Sequence, residues 1–120
     1  MQIISKALIL SKEEYFMKHL LIISPFIPVP LTEKEIEFLA TALMVEEKLG
    51  EFTFETTGRR EIRRLMNISH GGLGNYLREL KLKGYLLEDD RNVISILDIL
   101  KPESHWQGYQ FKLEIKEDGL

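Results

Sequence analysis

Seven cationic side chains crowd into one stretch of this chain. Arg59, Arg60, Arg63, Arg64, Arg78, Lys81 and Lys83 lie between positions 57 and 84, opposed there only by Glu61 and Glu79, which leaves the stretch at +5. The flanks are acidic. Residues 30–56 carry −5 and residues 85–120 carry −4, with +1 on residues 1–29, so the 120-residue chain stands at −3. A guanidinium is a planar fork of donors that grips phosphate or a base edge bidentately. The chemistry open to the cluster is therefore recognition of an anionic or hydrogen-bonding surface. The acidic total argues against indiscriminate binding to nucleic acid through bulk charge. Concentrating the cations on one segment makes any such binding local.

No other combination of residues reaches catalytic spacing. Cysteine is absent, which removes disulfides, thiolate metal sites and cysteine nucleophiles. His19, His70 and His105 are too far apart in sequence for a ligand pair, so no metal site is expected. Glu13-Glu14 and Glu46-Glu47 are adjacent, and neighbours in sequence diverge on a helix, which excludes paired acid–base work. Gly71-Gly72-Leu73-Gly74 lacks the preceding strand and the following Gly-Lys-Ser/Thr of a nucleotide-phosphate loop. No enzyme activity, cofactor or small-molecule ligand is expected. The longest apolar run, Leu20 to Ile27, falls well short of the ~20 residues that a membrane span needs. Lys6, Lys12 and Lys18 interrupt the amino-terminal segment, which does not read as a secretory signal. The expectation is a cytoplasmic protein with no membrane partner.

The elements that would position the basic block follow from period and capping. Ile3 to Leu10 is β-branched and aliphatic and reads as a short strand. Ser11 followed by Glu14 is a capping box, starting a helix that runs to about Ile23. Pro25, Pro28 and Pro30 impose an extended connector. Thr32 followed by Glu35 is a second capping box, for a helix from Glu33 to Leu49 that stops at Gly50. This helix carries two apolar stripes, Ile36, Leu39, Ala40 and Leu43 on one side and Phe38, Ala42, Val45 and Leu49 nearly opposite. A surface helix needs only one. The helix is therefore expected to be sandwiched, one face against the basic block's helices and the other against the amino-terminal helix or a second protomer.

Thr57 caps a third helix, 58–66, with Ile62, Leu65 and Met66 inward and Arg60, Arg63 and Arg64 outward. Asn67 and Ile68 form a turn. Ser69 caps a fourth helix to Lys83, with Leu73, Leu77 and Leu80 on its inner face, and Gly84 ends it. Two β-prone runs, 85–88 and 93–97, flank the turn formers Asp89 to Asn92 and read as a hairpin. Residues 101–108 form a loop. Tyr109, Phe111, Leu113 and Ile115 alternate with polar residues and read as a half-buried strand.

Two short helices, a tight turn, a terminating glycine and a hairpin form a specific order. Residues Arg59 to Leu97 resemble a winged helix-turn-helix DNA-binding domain. RREIRRLMN (59–67) looks like the second helix of that fold, and ISHGGLGNYLRELKLKGYL (68–86) like its turn and recognition helix. Ser69, Leu73, Leu77, Leu80, Lys83, Gly84, Tyr85 and Leu86 match an Ile-Ser turn, three core leucines and a Lys-Gly-aromatic-Leu exit into the wing. The resemblance implies an α+β fold, a trihelical core plus a β-hairpin wing, within a domain spanning 32–120. The chain adds an amino-terminal strand-helix extension, 1–31, that packs on the core or dimerises through it, and a carboxy-terminal strand.

The resemblance also implies double-stranded DNA as the partner, in a small transcriptional regulator or a replication or mobile-element accessory factor. Helix 69–83 would lie in the major groove with His70, Asn75 and Arg78 as base-contact candidates, since Asn pairs bidentately with adenine and Arg with guanine. Helix 58–66 would cross the backbone, assigning Arg59, Arg60, Arg63 and Arg64 to phosphates, together with Lys81 and with Arg91 at the wing tip. The chain departs from the pattern at Gly71, Gly72 and Gly74, where reading side chains normally stand. These glycines permit close approach of DNA or of another protein's helix. Leu82 is a second departure, in line with Asn75 and Arg78, either tucked under the wing or marking a protein contact. Phe38, Ala42, Val45, Leu49 and Leu82 are the candidates for a dimer or partner contact, and specific operators usually require a dimer reading two half-sites. The departures favour one alternative, a non-catalytic protein–protein adaptor, such as a phage or assembly component, on the same scaffold.

Overall fold

The computed structural model describes residues 2–117. Four α-helices and one antiparallel hairpin follow in the order α1 (Lys12–Ile23), α2 (Glu33–Leu49), α3 (Thr56–Met66), α4 (His70–Leu82), β1 (Leu86–Glu88) and β2 (Ile94–Ile96). Single 3-10 turns lie at Ser24–Phe26, Gly50–Phe52 and Asp98–Leu100. This is an α+β layout compatible with that of a winged helix.

Local chemistry sets most of the boundaries. Both capping boxes form. The Ser11 hydroxyl accepts from the Glu14 amide at 3.2 Å and the Thr32 hydroxyl from the Glu35 amide at 3.1 Å, each glutamate reaching back to its cap. Helix α2 stops at Gly50, whose φ of +54° suits glycine. Ser69 caps α4 by accepting from the Gly72 amide at 3.0 Å. The chain leaves α4 through Gly84 at φ +83°. The hairpin pairs Leu86 with Ile96 and Glu88 with Ile94. Its turn is held by the Asp89 carboxylate, which accepts from the amides of Arg91 and Val93 at 2.9 Å each.

Helix α2 is the centre of the core. It packs against α1, α3 and α4, and both of its apolar stripes are buried by the chain itself. Phe38, on the second stripe, stacks on Tyr76 of α4 with ring centroids 4.9 Å apart. Phe38, Ala42 and Val45 are thus unavailable as a dimer face, and Leu49 packs against the same core. The second stripe is satisfied within one protomer because α1 and α4 both reach α2. The chain contributes Phe16 and Leu20 of α1, Leu73, Leu77 and Leu80 of α4, Leu86, Ile94 and Ile96 of the hairpin and Leu100 to one continuous cluster.

Helix α3 differs in detail from its sequence reading. It begins at Thr56, with Glu55 rather than Thr57 at the cap and no side-chain capping bond. Gly58, Ile62 and Met66 form its inner line at intervals of four, and Leu65 falls outside that line, 45% exposed. The need for Gly58 is steric. A Cβ there would lie 1.8 Å from the Thr53 carbonyl oxygen, so the helix packs directly on the backbone of the preceding turn.

The two terminal strands do not form. Residues 2–10 and 109–117 have no regular secondary structure, and the only sheet among the described residues is the two-stranded hairpin. A β-strand exists only against a partner edge, and neither segment meets one. Ile3, Ile4, Leu113 and Ile115 are 81–98% exposed. The radius of gyration, 16.8 Å, exceeds the about 13.6 Å typical of a compact 120-residue domain, consistent with splayed ends.

Candidate nucleic-acid interface

Asn67 joins the two helices of the basic block. It adopts a left-handed conformation (φ +53°, ψ +51°), a geometry asparagine tolerates, and the amide of Ile68 then donates to the Arg63 carbonyl at 3.1 Å. Three residues join α3 to α4, the last of them Ser69, which caps α4. Leu73, Leu77 and Leu80 anchor that helix inward. This burial leaves His70, Gly71, Gly74, Asn75 and Arg78 on the exposed side.

The base-contact candidates lie on that side. An Arg78 Nη2 donates to Asn75 Oδ1 at 3.1 Å, coupling two of them across one turn. The Glu79 carboxylate is 3.9 Å from Arg78 Nε and does not hold it, since the arginine side chain is 66% exposed. His70 stands apart at the start of the helix. Space above Gly74 is open, with no atom within 4 Å of a Cβ placed there, while Gly71 and Gly72 approach only the Ser69 cap and Ile68.

The phosphate-contact candidates fall into three groups. Arg60 is exposed and has no carboxylate within 4 Å among the described residues. Arg59 and Arg63 are half-buried. Arg59 donates through Nε to the Phe54 carbonyl, and Arg63 Nε is enclosed without a hydrogen-bond partner. Arg64, Lys81 and Arg91 sit in exposed ion pairs. Arg64 bridges Glu61, raising the guanidinium's pKa and lowering that of the carboxyl. Lys81 bridges Glu88 at 3.0 Å, and Arg91 reaches Asp89 at 3.3 Å and Glu51 at 3.8 Å. Exposed pairs of this kind contribute about 0–1 kcal/mol and exchange readily for another anion.

Residues from both helices meet in one shallow depression of about 480 Å³, lined by Arg59, Gly74, Leu77, Arg78, Lys81 and Leu82. Three of the predicted cations thus surround one of the predicted glycines. Arg91 lies away from this group, at the hairpin tip. Leu82 is 76% exposed rather than tucked under the wing.

One cation of the block belongs to the scaffold. Lys83 pairs with Glu35 of α2, whose side chain is only 6% exposed. The same carboxylate closes the α2 capping box. Burial alone would push the Glu35 carboxyl up, but hydrogen bonds from Lys83 and Thr32 together hold it below its ordinary value. The pair spans 48 residues in sequence, and nothing local in the sequence marks it. The only hint is that Glu35 serves a cap at the edge of a buried stripe.

A larger cleft lies elsewhere. A cleft of about 1,010 Å³ beside α1 is lined by Leu8, Tyr15, His19, Ile22, Trp106 and Tyr109 among others. His19 Nδ1 sits 2.6 Å from the Tyr109 hydroxyl, and burial lowers the His19 pKa against an opposing backbone contact at Ile99. Among the described residues no three His, Asp or Glu side chains converge as a metal site would require. Compared with known proteins, the chain matches no family model, no curated relative and no solved structure.

Proposed function

We propose that the chain binds double-stranded DNA as a winged-helix protein, a small regulator or accessory factor. Helix α4 would enter the major groove and α3 would lie along the phosphates. One observation carries this reading: the outer side of α4 is open to solvent and meets α3 around a depression ringed by Arg59, Arg78 and Lys81. A helix of this width fits the groove, and Asn75 with Arg78 presents hydrogen-bonding groups suited to base edges. The vacancy over Gly74 suits close approach of a backbone. Arg60 and the exchangeable Arg64 would take phosphates, and the acidic flanks would disfavour docking by any other face.

A second reading draws on Leu82 and Leu65, exposed on the same two helices. A protein helix rather than DNA would then cover this surface, making the chain an adaptor. Binding of random-sequence duplex to the native chain and to Arg60→Glu/Arg64→Glu separates the two. DNA binding predicts that the double variant loses it. Equal affinity in both proteins, or no binding by either at low salt, favours the adaptor.

A further inference from the structure

Two nine-residue segments at opposite ends of the chain, 2–10 and 109–117, have no regular secondary structure and join no sheet among the described residues. Both reach the cleft beside α1. Their sequences are those of strands. In 2–10 the apolar residues fall on both faces, Ile3, Ala7 and Ile9 on one and Ile4, Leu8 and Leu10 on the other, the pattern of a strand covered on two sides. In 109–117 they fall on one face. Tyr109 and Phe111 of that face are anchored, the first through the His19 ring and the second against Phe26 with ring centroids 5.4 Å apart. Beyond that point Leu113 and Ile115 are 98% and 92% exposed.

We infer that this end of the molecule docks a second copy of the same chain, the 109–117 strand of each protomer pairing with the 2–10 strand of the other beside the α1 cleft. Two observations select a second copy over a different protein. The deficits are complementary within one sequence. One segment lacks an edge partner and leaves apolar residues of both faces exposed, and the other lacks an edge partner and leaves Leu113 and Ile115 exposed. A twofold exchange satisfies both at once and closes on itself, leaving fewer open edges to propagate.

Area agrees with this pairing. Ile3, Ile4, Ile9, Phe111, Leu113 and Ile115 are 59–99% exposed. At about 100 Å² of apolar surface each, they supply most of the about 800 Å² per partner found in stable interfaces. The α2 stripe is consumed inside the protomer, so it does not compete for this role. The inference stands apart from any reading of α4.

The test is sedimentation equilibrium on the full chain from roughly 1 to 100 µM, a range that brackets ordinary homodimer affinities, with the amide I infrared band recorded alongside. The native chain is expected to dimerise and to gain strand signal as it does so. Leu113→Glu/Ile115→Glu, at nearly fully exposed positions that do not endanger folding, is expected to raise the dissociation constant about 100-fold or more. Leu82→Glu is expected to leave it unchanged. A native chain monomeric throughout the range would overturn the inference. So would a dimer insensitive to Leu113→Glu/Ile115→Glu, a dimer lost equally with Leu82→Glu, or dimerisation without added strand signal.

Discussion

Along α2, Ile36, Phe38, Leu39, Ala40, Ala42, Leu43 and Val45 are all buried, so two opposite stripes are covered by the rest of the chain. Along α4, Leu73, Leu77 and Leu80 are buried, while His70, Gly71, Gly74, Asn75, Arg78 and Leu82 face solvent. The two helices also use small residues for different ends. Ala40 and Ala42 let neighbouring elements close onto α2. Gly74 has nothing near it. The neighbouring α3 repeats the contrast, because its Gly58 is forced by the Thr53 backbone. A small residue under pressure reports packing. A small residue in open space, where alanine would make a better helix, is under no such pressure and leaves room for the close approach proposed above.

The comparison breaks most visibly under substitution of α2. Phe38→Ala removes a fully buried ring and its Tyr76 contact, and is expected to cost about 3–5 kcal/mol of stability, measured by urea unfolding. Asn75→Ala, on the open side of α4, is expected to change stability by less than about 0.5 kcal/mol.

Next in size is the tie between the two helices. Lys83→Met leaves the Glu35 carboxylate nearly buried without its cation. The expected loss is toward the lower end of the ~3–5 kcal/mol seen for breaking a buried pair, because Lys83 itself is partly exposed. Glu35 also fixes a pH dependence. Its pKa is lower folded than unfolded, so its contribution is complete above the ordinary carboxylate range and is lost as pH falls through the folded value. His19 is depressed as well. Its share of the stability is complete above about pH 6.5 and declines as pH drops, because the unfolded chain then protonates first. Unfolding midpoints are expected to fall as pH drops below about 6.5 and to fall further below the ordinary carboxylate range, with that acid limb reduced in Lys83→Met.

A small stability effect sharpens the comparison most. Gly74→Ala is expected to raise stability by about 0.5–1 kcal/mol, the ordinary helix-interior difference. If α4 is an approach surface, the same change weakens duplex binding. Gly58→Ala is expected to lower stability. A Gly74→Ala variant that is more stable and binds equally well would mean that the vacancy has no use.

Sequence reading located the helices because their ends are made locally. Ser11 with Glu14, Thr32 with Glu35, Ser69, Gly50 and Gly84 each act within a few residues of themselves. The terminal strands were not legible, because strand formation depends on an edge supplied from elsewhere and these segments meet none within the described chain. Leu65 fell outside because α3 buries a single line through Gly58, Ile62 and Met66. Within the candidate site, periodicity placed Asn75 and Arg78 outward. It could not show that Lys83 is held by Glu35, that Arg59 and Arg63 are half-buried, or that Arg59 meets Arg78 and Lys81 around Gly74. Those relations depend on which helices cross, and crossing leaves no mark in a local window.

The most direct test of the central claim is the salt dependence of duplex binding by the native chain. If α3 and α4 dock on a double helix, the logarithm of the binding constant falls linearly with the logarithm of salt, with a slope near −0.9 per phosphate neutralised, and Arg60→Glu makes that slope shallower by about one phosphate or more. An affinity that does not change with salt, or an Arg60→Glu protein with the native slope and affinity, would contradict it.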